Sequence, residues 1–168
     1  MPPRSETERE RLRRISILNA RLPRKRTIAQ GLLRRPTGEV LLCELSYKRE
    51  WDLPGGVVDP GESPATCVER EIQEELGIEV RAGRLLAVNW LPPWRGWDDA
   101  LLYLFDLGVH EGGDLDPSLF LRREIAAAHW RTVAEAAAHV APYTARMLEV
   151  AAHAEHPAYL ENSEPVAP

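Results

Sequence analysis

Gly56–Ile78 reads GVVDPGESPATCVEREIQEELGI, and this stretch decides the fold. Its second part is a helix with both ends marked. Ser63 is a good N-cap, Pro64 suits the first helical position and Gly77 suits the far end. Between them Ala65, Val68, Ile72 and Leu76 recur at helical spacing and predict one buried stripe. Glu71, Glu74 and Glu75 stand at i, i+3 and i+4, in a sector roughly 100° wide beside that stripe. Like charges so placed repel by tenths of a kcal/mol per pair, about 0.2–0.5. A hard divalent cation relieves that repulsion, because Mg²⁺ takes carboxylate and phosphate oxygens together. Ahead of the helix, Gly55-Gly56 permits close backbone approach or positive φ, and Pro60-Gly61 turns the chain. Asp59 and Glu62 add two carboxylates, and Arg70 is placed to pair with a neighbouring acid. A Glu-rich helix is also the ordinary composition of a solvated face, so the three glutamates alone do not decide between surface and site.

The complete spacing does decide. Gly56, Glu62, Arg70, Glu71, Ile72, Glu74, Glu75, Gly77 and Ile78 fill every fixed position of the pattern G-x5-E-x7-R-E-U-x-E-E-x-G-U, where U is a bulky aliphatic residue. The stretch thus resembles the Nudix (MutT-like) hydrolase family over 23 residues, and the flanking organisation extends the resemblance to residues 25–153. The resemblance implies an α/β fold, an α/β/α sandwich with a mixed β-sheet between helices. It implies a pyrophosphohydrolase that cuts a nucleoside diphosphate linked to another moiety, by attack of water at phosphorus. On that reading Glu71, Glu74 and Glu75 bind Mg²⁺ (Mn²⁺ is an alternative), with Glu74 and Glu75 central, Glu62 assisting and the Gly56 carbonyl facing the ion. Arg70 orients a box glutamate. The general base lies in the box or in a later loop, where Glu124 is the candidate; its other reading is an exposed acid beside Arg122 and Arg123.

Outward from the box, Thr27–Leu33 and Val40–Leu45 read as a hairpin around Pro36-Thr37-Gly38. Val80–Leu91, interrupted near Ala82-Gly83, and Ala100–Leu107 read as strands, His129–Val133 as a short final one. Ala134–His139 and Pro142–His153 read as helices. Ser5 with Glu8 fits a capping box for a helix to about Leu18, whose Leu12, Ile15 and Leu18 share a face. The expected organisation is a basic helical extension over 1–24, one domain over 25–153 and a Pro-, Glu- and Ala-rich disordered tail over 154–168.

Composition narrows the classes. The 168 residues suit one domain. No run of 18 apolar residues is present, so no membrane helix is expected. Cys43 and Cys67 are the two cysteines, too few for a disulfide framework, and with no secretory signal they read as reduced thiols of a cytoplasmic protein. Residues 1–26 hold nine Arg or Lys and three Glu, a balance of +6; the remainder, with 12 basic and 23 acidic residues, carries −11. An acidic body needs a metal to draw in a polyanion and gives no strong nucleic-acid signal. The expected partner is a nucleotide-type small molecule, and a homodimer is open.

Trp90-Leu91-Pro92-Pro93-Trp94-Arg95-Gly96-Trp97 stands out beyond the box. Trp94, Arg95 and Trp97 are candidate substrate contacts, able to stack on a base or meet phosphate, or else they cover the core or an interface. Pro93, fifteen residues after the box, is similar to the proline of the ADP-ribose-cleaving branch. Nucleoside triphosphate, ADP-ribose and nucleotide sugar all fit as substrates. A nucleotide-sensing module without turnover and an isomerase are the alternatives.

Overall fold

The computed structural model describes residues 7–153 and 155–166. Strands β1 (Arg26–Arg34), β2 (Val40–Leu45), β3 (Gly55–Val57), β4 (Leu85–Leu91), β5 (Ala100–Val109), β6 (Ile125–Arg131), β7 (Ala158–Glu161) and β8 (Glu164–Pro165) form one sheet. Its order is β6-β2-β1-β5-β4-β7-β8, with β3 pairing β1 off that path. β1 runs parallel to β5 and β4 parallel to β7; the other pairs are antiparallel.

Alternation along the strands builds the layers. Along β1 and β2, Ala29, Leu33, Leu41 and Cys43 face helix α2 (Pro64–Leu76) and pack on its Cys67, Val68, Ile72 and Leu76. Their neighbours Leu32, Val40 and Leu42 face the opposite way, toward Met147, Leu148 and Ala151 of α4 (Pro142–His153). Both faces are therefore apolar, which is why central strands such as β1 show little polar alternation. The result is the expected mixed sheet between helices.

Several boundaries differ from the sequence reading. The first helix, α1, is Glu8–Arg21, capped by Thr7 in a reciprocal box with Glu10; Ser5 lies outside the described residues. Both Ser5/Glu8 and Thr7/Glu10 satisfy the same pattern, so the pattern fixes the helix and not its first residue. β4 starts only at Leu85, because Glu69 on α2 accepts the Ala82 N–H at 2.8 Å and ties residues 80–84 to the helix instead. β6 spans Ile125–Arg131, its small Ala126–Ala128 run held by pairing with β2. Val133 already belongs to the next helix, α3 (Val133–Ala136), capped by Thr132.

The tail read as disordered is corrected over 158–165, where β7 and β8 extend the sheet. Leu160 is fully buried, and Asn89 of β4 closes the contact: its Nδ2 donates to Ser163 Oγ at 2.7 Å and its Oδ1 accepts from Ser163 N at 2.9 Å. Asn162 and Ser163 take the left-handed conformation at the turn, with φ of 49° and 65°. A Pro- and Glu-rich composition hides a strand whose pairing partner is 71 residues away.

Candidate active site

α2 is assembled as its sequence predicts. Ser63 Oγ accepts the Thr66 N–H at 3.2 Å, and Gly77 closes the helix at φ 70°. Of the expected stripe, Val68, Ile72 and Leu76 are buried and Ala65 is half-buried. The three glutamates fall at graded depths: Glu74 is exposed, Glu71 half-buried, and Glu75 only 5% exposed.

The two glycines before the helix do different work. Gly55 has φ 135°, and a Cβ there would lie 2.2 Å from the Ala29 carbonyl oxygen. This close seat against β1 lets the Gly55 N–H donate to Glu75 Oε2 at 3.2 Å. Gly56 leaves room for a carboxylate, since a Cβ would lie 2.5 Å from the Glu71 carboxyl. The Gly56 carbonyl accepts from Cys67 Sγ at 3.9 Å.

Arg70 is the hub of the acidic cluster. Its Nε and Nη2 grip both oxygens of Glu62, at 2.8 and 3.0 Å, while Nη1 lies 3.1 Å from Glu71 and 3.2 Å from Glu74. These bonds, with the Asp59 N–H donating to Glu62, hold the Glu62 carboxyl down at about 2. Glu75 goes the other way. Burial raises it to about 8, against the Gly55 N–H that favours the charged form, and Glu71, Glu124 and Asp52 add negative charge around it. Burial also raises Glu71. Burying a carboxylate with one backbone donor is costly, and a neighbouring positive charge would offset that cost.

The donor set suits a hard divalent ion: carboxylate oxygens of Glu71, Glu74 and Glu75 at one end of α2, with Glu62 beside them. Among the described residues, no three acids converge closely enough, as placed, to hold an ion between them. Arg70 Nη1 bridges Glu71 and Glu74. The cysteines are free and buried, and burial pushes Cys67 up to about 12, which keeps it from acting as a thiolate.

Glu124 stands at the start of β6. Its side chain accepts from Arg123 Nε at 2.9 Å, its backbone carbonyl accepts the Ser46 N–H at 2.8 Å, and its charge acts on Glu71 and Glu75. The tryptophan segment is a tight hairpin with Arg95 and Gly96 at φ 47° and 87°. Trp94 and Trp97 are 67% and 63% exposed, and their partners are cations, Arg95 at 5.2 Å and Arg26 at 4.9 Å from the ring centres.

A polar cluster next to the box escaped the sequence reading. Gln30, paired with Gly55 across β1 and β3, donates to Asp52 at 3.0 Å, and Lys48 Nζ donates to Asp52 at 2.6 Å. Trp51 beside it is stacked between His129 and His139, with ring centres 3.9 and 4.0 Å away. The i, i+4 spacing of Lys48 and Asp52 was the available signal; the histidines, 78 and 88 residues from Trp51, gave none.

Known proteins match this arrangement. A family model, the NUDIX domain, matches residues 24–153. Diphosphoinositol polyphosphate phosphohydrolase 2 of Rattus norvegicus is 45% identical over 51 residues, 30% of this chain and 28% of that protein. Nucleoside triphosphatase NudI of Escherichia fergusonii is 34% identical over 93 residues, 52% of this chain and 61% of that protein. The chain thus spans less than two thirds of these curated relatives. Among solved structures, the MutT protein from Methanosarcina mazei Go1 superposes with a TM-score of 0.64 at 26% identity, covering 78% of this chain and 96% of that one. A UDP-X diphosphatase shares the fold with a TM-score of 0.67 at 18% identity, over 92% of this chain and 75% of that one. With the family model covering most of the chain and the box complete on a capped α2, the protein belongs to the Nudix family.

Proposed function

We propose that the chain is an Mg²⁺-dependent pyrophosphohydrolase that cleaves the phosphoanhydride of a nucleoside diphosphate linked to another group, such as a nucleoside triphosphate, ADP-ribose or a nucleotide sugar. The observation that carries this reading is Glu75, buried on the same helix as Glu71 and Glu74 and held by the Gly55 N–H. Glu71, Glu74 and Glu75 would hold the metal, with Glu62 and the Gly56 carbonyl beside it. When bound, Mg²⁺ or Mn²⁺ neutralises phosphate charge and lowers the pKa of a water. Arg70 orients Glu62 by its two-pronged grip and reaches Glu71 and Glu74 with the remaining nitrogen. Glu124, or a box glutamate, takes the proton of the attacking water; its oxygen joins phosphorus and the bridging P–O bond breaks. Each side of the anhydride leaves with a phosphate. The E. fergusonii relative, named a nucleoside triphosphatase, supports a nucleotide substrate. A location in the cytoplasm belongs to the same reading.

A product assay tests this. Nucleoside triphosphates, ADP-ribose, nucleotide sugars and a diphosphoinositol polyphosphate are each incubated with Mg²⁺ and with chelator. Metal-dependent release of a nucleoside monophosphate is expected from one nucleotide class. Silence across the panel, with nucleotide binding intact, would replace turnover with sensing.

A further inference from the structure

Gln30 is a polar side chain on an apolar strand face. Along β1 it shares the side of Ile28 and Leu32, which pack toward α4, and it is only 5% exposed. Its amide has one orientation. Nε2 donates to Asp52 Oδ1 at 3.0 Å and to the Leu53 carbonyl at 3.4 Å. Both are acceptors, so the nitrogen takes that side and Oε1 the other. Oε1 is buried and has no partner among the described residues. A buried acceptor left unpaired is costly, and such atoms are rare in folded proteins.

The neighbours of Gln30 hold it in place. Asp52 Oδ1 also accepts the Leu53 N–H at 3.0 Å, and Oδ2 accepts from Lys48 Nζ at 2.6 Å. Asp52 thereby fixes the amide, and Lys48 balances the buried carboxylate. What Oε1 lacks is a donor. Gln30 stands opposite Gly55 in the β1–β3 pair, a Cα separation of about 4.5–5.5 Å. Gly55 in turn donates to Glu75, so Gln30 is one strand spacing from the box. Lys48 is partly exposed and Tyr143, at the start of α4, is half-buried within reach of the charge on Asp52. The cluster therefore lies beside the box and reaches solvent.

Chemistry selects the group that fits. A phosphorylated ring presents acceptor oxygens and negative charge, and here it meets another acceptor and the Asp52 carboxylate. A nucleobase presents N–H donors on a flat, neutral body, which suits one fixed acceptor in apolar surroundings. A site built to hydrogen-bond one group rejects ligands that cannot supply it.

We infer that Gln30 is a specificity-determining residue, whose amide oxygen accepts an N–H of the substrate's nucleobase and disfavours polyphosphorylated rings. Gln30 acts this way only with the diphosphate held on the box, as proposed above.

Calorimetric titration with Mg²⁺ and the α,β-methylene analogues of ATP, GTP, CTP and UTP reads affinity without turnover. The wild type should bind at least one analogue about tenfold or more tighter than tripolyphosphate or inositol hexakisphosphate. Q30M keeps the side-chain length and removes the acceptor. It should lose about tenfold for that analogue and stay within about twofold for tripolyphosphate. On the ligand side, methylating the N–H positions of the preferred base should cost the wild type as much, a comparison that stands even if Q30M does not fold. Three results overturn the inference: Q30M binds every nucleotide as the wild type does; tripolyphosphate weakens in parallel; or the wild type prefers no nucleotide over inositol hexakisphosphate. Gln30-dependent nucleotide affinity without hydrolysis of any nucleoside triphosphate would remove the hydrolase reading and support the role of Gln30.

Discussion

α1 and α2 are near-equals as local structure and opposites in everything else. They have 14 and 13 residues, and a side-chain cap opens each. Yet α2 buries Cys67, Val68, Ile72, Glu75 and Leu76 against the sheet, while α1 buries nothing. Caps and periodicity specify a helix; what the helix meets decides whether it stabilises the domain. In α2 the same burial that secures the fold also desolvates Glu75, so packing and charge are coupled there.

The two helices should differ most in their effect on activity. Glu74→Gln or Glu75→Gln is expected to lower turnover by at least about 100-fold, since each removes a proposed metal ligand without removing packing, while circular dichroism stays native. Substitutions of Leu12 should leave turnover per site within a factor of about two. Near-wild-type rates in both glutamate variants would remove the box helix from the chemistry.

Stability is next. Ile72→Ala should cost about 2–5 kcal/mol by denaturant unfolding, because it empties a fully buried site between α2 and the sheet. Leu12→Ala should stay within about 0.5 kcal/mol for the monomer. Equal costs would mean that α1 is packed after all.

The pH dependence sharpens the link between burial and charge. Glu75, raised by burial to about 8 in the folded protein, loses its proton at lower pH when unfolded. The metal-free fold is therefore most stable below the unfolded value and loses that increment as pH rises toward about 8. Cation affinity runs the other way, growing by up to about tenfold per pH unit until Glu75 is ionised. In Glu75→Gln both slopes should flatten. Glu62, held at about 2, contributes above its unfolded value and releases that contribution only as pH falls toward 2. The smallest effect is at the cap: Ser63→Ala should cost about 1 kcal/mol, read as a shift in the unfolding midpoint.

Much of this is legible in the sequence. Ser63, Pro64 and Gly77 bounded α2, and the spacing of Arg70, Glu71, Glu74 and Glu75 indicated the acidic cluster, because helical geometry turns sequence distance into position. What escaped were contacts between distant segments. Leu160 lies in a polar tail and pairs beside Asn89 only once β4 is in place. Gln30 meets Asp52 because β1 sits against β3, and the Trp51 stack needs two histidines from separate elements. Nor did periodicity foretell that the stripe on α1 would be left uncovered.

Glu75 is proposed to complete a cation site. A Mn²⁺ titration followed by electron paramagnetic resonance at pH 8, on the wild type and Glu75→Gln, addresses it without any substrate. Saturable binding by the wild type and at least about tenfold weaker binding by the variant are expected. Equal affinity in the two proteins, or no Mn²⁺ bound by the wild type at millimolar concentration, would contradict it.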